Sequence, residues 1–410
     1  MAEKPGSMIG GMLLVTGSCI GAGMLGLPIL TGLAGFFPSL IMFVAAWLFM
    51  TLTGLLMIEV NGWFGYKVNL ISMVKKTLGP IGSGLCWIFF LFLFYALLVA
   101  YISGSGALVT SFLPNLPNWS GSLFFVLLFG WVVYTGTRSV DLWNRVLMFF
   151  KIGAFLGLIF LGAEYVIPKL LLHTQPSLAF YSLPILIISF GFHNMVPSLT
   201  SYMKGDINRV RWTIIGGSLF TLGIYLIWEI LVLGILPVEG KSGIIQSLKL
   251  DHQASQALAS YLSSSWVAVC AQWLAFFAIL TSFLAQALSL VHFLGDGLKI
   301  GETQRENLGL CALTLVPPLL FALFYPHLFF KALNFAGGIC AVILFGVIPA
   351  AMVWVGRYRK EIPSTYRVNG GRPLLIGILL FSIFVLFLQL STMLGASYTE
   401  RVSKIGISAQ

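Results

Sequence analysis

The sequence predicts an all-α polytopic membrane protein of eleven transmembrane helices, built as a five-plus-five inverted repeat with one extra C-terminal helix. Three observations carry this. The 410 residues are 58% hydrophobic and only 9% charged, with a mean hydropathy of +0.97, more apolar sequence than any soluble core requires. Apolar runs of membrane-spanning length recur eleven times. Two of those runs are interrupted by Gly- and Pro-rich stretches 170 residues apart, at Gly21 and Gly191.

In chain order the runs fall near 8–31, 38–60, 84–112, 121–136, 144–165, 180–201, 212–236, 266–293, 308–325, 332–355 and 373–395, and are numbered helices 1 to 11. Helices 1–5 (1–165) form the first repeat and helices 6–10 (166–355) the second. Residues 356–410 supply an inner loop, helix 11 and an outer tail. With the N-terminus in the cytoplasm, 17 of the 23 Lys and Arg fall inside, among them Lys4, Lys67, Arg145, Lys151, Arg357 and Arg359, whereas Lys169, Lys241, Lys249, Lys331, Arg401 and Lys404 fall outside. The positive-inside rule therefore puts the N-terminus inside and, after an odd number of spans, the C-terminus outside. The net charge of +10 is spread over short loops and forms no basic domain, which excludes a nucleic-acid partner. Five cysteines at unrelated spacings, all within apolar runs, read as small buried hydrophobes, with no disulfide framework and no metal site. Between helices 7 and 8, Ile244, Ile245, Leu248, Ala254, Ala257, Leu258 and Tyr261 have near-helical spacing. They suit an amphipathic lid or, equally, a helix lying at the interface.

Helix 1 carries Thr16-Gly-Ser-Cys-Ile-Gly-Ala-Gly-Met-Leu-Gly-Leu-Pro28. Gly and Pro at this density oppose a continuous helix, and a break at membrane depth is tolerated where the freed backbone lines a cavity. Gly21, Ala22, Gly23 and Met24 are therefore candidate binding backbone; a Gly-rich helix-packing face is the competing reading. Helix 6 repeats the pattern in Ser189-Phe-Gly-Phe-His-Asn-Met-Val-Pro-Ser198, where mid-membrane His and Asn are costly unless partnered. Two broken first helices in five-helix units of opposite orientation imply a site at the repeat interface. Helix-start amides there suit a carboxylate, and helix-end carbonyls suit an ammonium. The site is thus a receptor for a zwitterion, of which a free amino acid is the obvious example.

Several stretches together are similar to one family: "TGSCIGAGMLGLP", "YALLVAYISGSG" (95–106), "SFGFHNMVPSLTSYMKG" (189–205), "TSFLAQALSLVHFLGD" (281–296), "PPLLFALFYP" (317–326) and "YRVNGGRP" (366–373). They resemble the bacterial hydroxy and aromatic amino-acid permeases, and among them the tyrosine-specific ones. That resemblance implies the five-plus-five fold of the amino-acid/polyamine/organocation superfamily and proton-driven uptake across a bacterial inner membrane. The sequence departs from the family pattern at His292, and at the bulkier Asn194 and Met195.

Ser189, Phe190, Gly191, Phe192, His193 and Asn194 are placed beside the substrate, an aromatic-lined pocket with polar edges. His193 and Asn194 serve equally to satisfy the freed backbone. Tyr101 resembles the tyrosine that reaches a substrate carboxylate in this superfamily, or else packs the bundle. Lys151 lies six residues past Arg145, about 9 Å deeper, where an ammonium is expensive unless paired or able to lose its proton. In proton-coupled relatives a helix 5 lysine stands near the position where sodium-driven relatives hold their ion; snorkelling to the interface is the alternative. Glu229 is the second candidate for proton coupling. Thr281 and Ser282 have the hydroxyls a sodium site needs, or are helix-packing positions. Glu59 and Asp296 read as inner gate charges, and Trp119, Trp131 and Trp354 as interface belt.

The expected function is a proton symporter for tyrosine and/or tryptophan, monomeric and without cofactor. A serine/threonine permease or a sodium-coupled carrier of the same fold is the alternative. An ATP-driven pump is disfavoured by the missing Gly-x-x-x-x-Gly-Lys-Ser/Thr pattern, and an enzyme by the lack of convergent catalytic or metal-ligand spacing. A channel would need a selectivity ring.

Overall fold

The computed structural model describes residues 6–65, 68–112, 117–262, 266–299, 304–325 and 327–394. Lys4, Lys67, Arg401, Lys404 and the expected outer tail lie outside the described residues.

Among the described residues the chain is helical and has no strand. Within the described residues nine helices are long and apolar enough to cross a membrane, ten crossings if the bent pair Met8–Cys19 and Ala22–Thr31 counts as one. Trp119–Tyr134 is a shorter apolar helix at the place expected for helix 4. This is the architecture of a multi-pass membrane protein, because only helices that satisfy their own backbone fit into lipid. The remaining crossings are helix 2 (Phe36–Phe64), helix 5 (Thr137–Gly162), helix 7 (Ile207–Ile235), helix 8 (Trp266–Leu298), helix 9 (Gln304–Phe324) and helix 11 (Gly371–Leu394). Helix 3 is longer than its apolar run, spanning Leu70–Phe112, since an amphipathic first segment is joined to it at Gly79. There φ is +82°, open to glycine, and Pro80 starts the apolar part. Helix 10 occupies Phe329–Tyr358. Its middle, Ala336–Val347, winds with wide i→i+5 turns.

Both Gly-rich runs are interrupted. Helix 1 ends its first half at Cys19 and restarts at Ala22 with a 61° bend. Helix 6 has a first half Leu183–Ser189 and a second half Val196–Tyr202, with a tight single turn His193–Met195 between them. Helix 7 backs both. Its face packs along the first half of helix 1, where Thr16 Oγ1 donates to the Gly217 carbonyl at 3.0 Å. In lipid such close polar contacts and small residues, not burial from water, hold helices together.

The loop between helices 7 and 8 folds into two short helices, Ile244–Lys249 and Ala254–Tyr261, and covers the second half of helix 1. Ile244, Ala254, Ala257 and Leu258 are buried, while Tyr261 is exposed. The apolar stripe therefore faces protein. The cysteines are free; four are buried and Cys270 is partly exposed, which corrects the expectation that all five are buried. Trp119 and Trp131 are exposed on the outer surface of the bundle. At the opposite end from the lid, the buried Glu59 of helix 2 receives Arg357 Nε at 2.6 Å, Arg357 Nη2 at 2.5 Å and the Val368 amide at 2.8 Å. Asp296, the other expected gate charge, is exposed.

Candidate functional site

A cavity of about 260 Å³ lies where the two breaks face each other. Helix 1 contributes Gly21, Ala22 and Gly23, helix 6 contributes Ser189, Gly191 and Asn194, and helix 3 contributes Tyr101. Lys151 of helix 5 and Thr281 and Ser282 of helix 8 belong to its polar wall. The remainder is largely aromatic and aliphatic, notably Phe90, Phe94 and Phe345, with Asn144, Gln286 and Ser289 as further polar groups. Asn194, Ala285 and Ser289 in this wall are exposed, as is Ser18, so the cavity communicates with solvent on the side away from the lid.

The first break is held by side chains from three other helices. Gly21 has no Cβ because one would stand 2.5 Å from Ser282 Oγ. That hydroxyl instead accepts the Ala22 amide at 3.2 Å, capping the second half of helix 1. Lys151 is 3% exposed. Its Nζ donates to the Ile20 carbonyl at 2.9 Å and to Thr281 Oγ1 at 3.4 Å. The described ion pairs are Arg145–Asp141 and Arg357–Glu59, and neither reaches it. An ammonium thus fills the place between helices 1, 5 and 8, with the break's carbonyl as its nearest acceptor. Tyr101 of helix 3 lines the same cavity as this cluster. Two buried polar atoms in the wall, Ser189 Oγ and Asn144 Oδ1, have no partner, which leaves hydrogen-bonding capacity for a bound molecule.

Other expected residues lie elsewhere. Met24, Phe190, Phe192 and His193 are buried but outside the cavity wall. His193 stacks between Phe192 and Phe345 at centroid distances of 4.9 and 4.8 Å, and its Nε2 meets Thr53 Oγ1 of helix 2 at 2.9 Å. Phe190 packs on Tyr225 of helix 7 at 5.2 Å. Glu229, also outside the cavity, is 1% exposed; its Oε2 is 2.8 Å from Thr31 Oγ1 at the far end of helix 1, and its Oε1 has no partner.

Sequence reasoning missed two groups. Phe90, Phe94 and Leu97 share one face of helix 3 with the expected Tyr101, at spacings of four, three and four residues, a signal available in the sequence. Tyr225 and Trp228 of helix 7 serve the breaks through backbone: Tyr225 Oη is 2.7 Å from the carbonyls of both Cys19 and Ser189, and Trp228 Nε1 donates to Met24 O at 2.9 Å. No linear pattern distinguishes them from other aromatics in an apolar helix.

A larger cavity, about 530 Å³, lies under the lid and away from both breaks, bounded by Asp251, His327, Lys331 and Asn334. Asp251 accepts the amides of Phe329 and Phe330 at 2.8 and 3.1 Å, capping helix 10. Burial holds the Asp251 carboxyl above its ordinary range against those bonds, and burial lowers the neighbouring His252 imidazole.

Comparison with known proteins identifies similar sequences along almost the whole chain. The model of the tryptophan/tyrosine permease family matches residues 4–389. Tyrosine-specific transport system 1 of Haemophilus influenzae is 32% identical over 386 residues, covering 92% of this chain and 95% of that protein. The tryptophan-specific transport protein of the same organism is 30% identical over 416 residues, covering 97% and 99%. The low affinity tryptophan permease of Escherichia coli is 27% identical over 406 residues, covering 94% and 95%.

Proposed function

The chain belongs to the tryptophan/tyrosine permease family, and from that membership we propose that it imports tyrosine and/or tryptophan by proton symport with alternating access. It is a permease and not an enzyme. The proposal includes eleven spans with the two five-helix repeats 1–165 and 166–355 plus residues 356–410, a bacterial inner membrane, N-terminus inside, C-terminus outside, and a monomer as the working unit.

The observation that carries the reading is the Lys151 ammonium on the Ile20 carbonyl, in the wall of the cavity between two broken helices. A substrate carboxylate is accommodated by the start of the second half of helix 1 at Gly23, next to the Ala22 amide that Ser282 caps, and by the Tyr101 hydroxyl. Ser189 and the carbonyls of helix 6 accept its ammonium. Phe90, Phe94 and Phe345 line the cavity beside an aromatic side chain, which favours tyrosine or tryptophan over serine or threonine. A lysine at the junction of helices 1, 5 and 8 favours H⁺ over Na⁺, because its ammonium already occupies the space that Thr281 and Ser282 would offer a sodium ion. A buried amine that gains and loses a proton as the cavity opens to either side gives the two states different affinities for proton and substrate, and that difference drives a symport cycle. Glu229, away from the cavity, is the second site for a proton.

The test is uptake of labelled tyrosine, tryptophan and serine into proteoliposomes with an imposed pH gradient, a sodium gradient, or neither. Aromatic uptake driven by the pH gradient is expected. Uptake driven only by sodium would refute proton coupling, and entry of serine alone would refute the substrate assignment.

A further inference from the structure

Each break ends a helix, and a helix end leaves carbonyls without intrahelical donors. The carbonyl of Cys19 closes the first half of helix 1, and that of Ser189 closes the first half of helix 6. Both residues line the cavity. Tyr225, fully buried on helix 7, places its single hydroxyl 2.7 Å from each. A phenol has one proton, which two carbonyls at equal distance share in a three-centre bond. The Cys19 carbonyl already accepts the Gly21 amide at 2.8 Å, whereas Tyr225 is the one described donor to the Ser189 carbonyl. The shared proton therefore ties both helix ends to one phenol oxygen. The ring is fixed by Phe190 at 5.2 Å and Phe43 at 6.4 Å, so the hydroxyl has little freedom to follow either carbonyl away.

We propose that Tyr225 is a positioning residue: its hydroxyl spans the two helix ends and sets their separation, so that the substrate-facing backbone of helices 1 and 6 forms one site. The inference rests on the aromatic amino-acid reading for its ligand. Without the bridge, the helix ends lose their common reference and the site loosens, while the helix 7 packing remains.

The test compares Tyr225→Phe, which deletes only the hydroxyl, with Phe43→Leu, which loosens the ring's packing and keeps the hydroxyl. Equilibrium binding of labelled tyrosine and tryptophan, alkylation of Cys19 by N-ethylmaleimide read by mass spectrometry, and thermal unfolding are measured on the purified full chain. For Tyr225→Phe the dissociation constant is expected to rise about tenfold. Alkylation at Cys19, which sits on the released helix end, speeds up about fivefold, with melting within about 3 °C of wild type. Phe43→Leu lowers the melting temperature and leaves affinity and Cys19 reactivity unchanged. The proposal is overturned if Tyr225→Phe changes neither affinity nor Cys19 reactivity, or if Phe43→Leu reproduces both changes. Wild-type protein that binds neither amino acid refutes the substrate reading instead, and the Cys19 comparison then still decides the bridge.

Discussion

Replacing Lys151 by Gln separates binding from energy coupling. The glutamine amide keeps an N–H donor for the Ile20 carbonyl, which Lys151 reaches at 2.9 Å, but it does not titrate. On the proposed proton symport, a single titratable amine in contact with the cavity corresponds to one proton per cycle. A pH difference of one unit stores about 1.36 kcal/mol per proton, so wild type concentrates tyrosine up to about tenfold across a one-unit gradient. If Glu229 carried a second proton, the limit would be about a hundredfold. For Lys151→Gln the accumulation ratio falls to about one. Exchange of labelled for unlabelled tyrosine persists within about threefold of wild type, because the break's carbonyl keeps a donor. The assay is the steady-state internal-to-external ratio in proteoliposomes, with exchange measured on the same preparation. A variant that still concentrates tyrosine about tenfold refutes the assignment of the coupled proton to Lys151 and turns attention to Glu229.

Three further outcomes are expected. Glu59→Gln leaves Arg357, whose side chain is 7% exposed, without its charge partner, and costs about 3–5 kcal/mol in thermal unfolding; an unchanged melting curve would contradict the role of this pair. Gly21→Ala forces Ser282 Oγ, 2.5 Å from the new Cβ, off the Ala22 amide and weakens tyrosine binding about tenfold. Adding Ser282→Ala to it should make binding no worse, and fully additive losses would show that the clash is not the cause. Asp251 has a folded-state pKa raised by burial, so the native state binds the extra proton and stability falls as pH rises from about 3.8 through the folded value. Asp251→Asn removes that slope. The lowered His252 costs stability below about pH 6.5 in both proteins and cancels in the comparison. Parallel stability–pH curves for the two proteins would sink this account.

The breaks were legible in the sequence because Gly and Pro act on the backbone locally: Gly17, Gly21, Gly23 and Pro28 mark helix 1, and Gly191 and Pro197 mark helix 6. Lys151 was legible because a cation deep in an apolar run is costly wherever it points. Which way a residue faces inside an unwound stretch was not, since such a stretch has no period. Phe192 and His193 accordingly face helices 2 and 10, while their neighbour Asn194 is exposed in the cavity wall. Tyr225 and Asp251 were invisible for another reason. Each serves backbone groups far along the chain, Tyr225 at Cys19 and Asp251 at Phe329, and a backbone acceptor or donor has no residue-type signature to pair with.

The basic loop between helices 10 and 11 looks from its polarity like a free linker, the natural place to splice in a fluorescent reporter or an epitope. The Glu59 carboxylate makes half of it structural. Val368 donates its amide to that carboxylate and its carbonyl accepts Arg357 Nη2 at 2.9 Å, so this point of the loop is stitched to helices 2 and 10 together. The neighbouring Glu361, Pro363 and Thr365 are exposed. A tag inserted after Pro363 therefore leaves the stitch intact, whereas the same tag beside Val368 pulls it open and strands a buried charge.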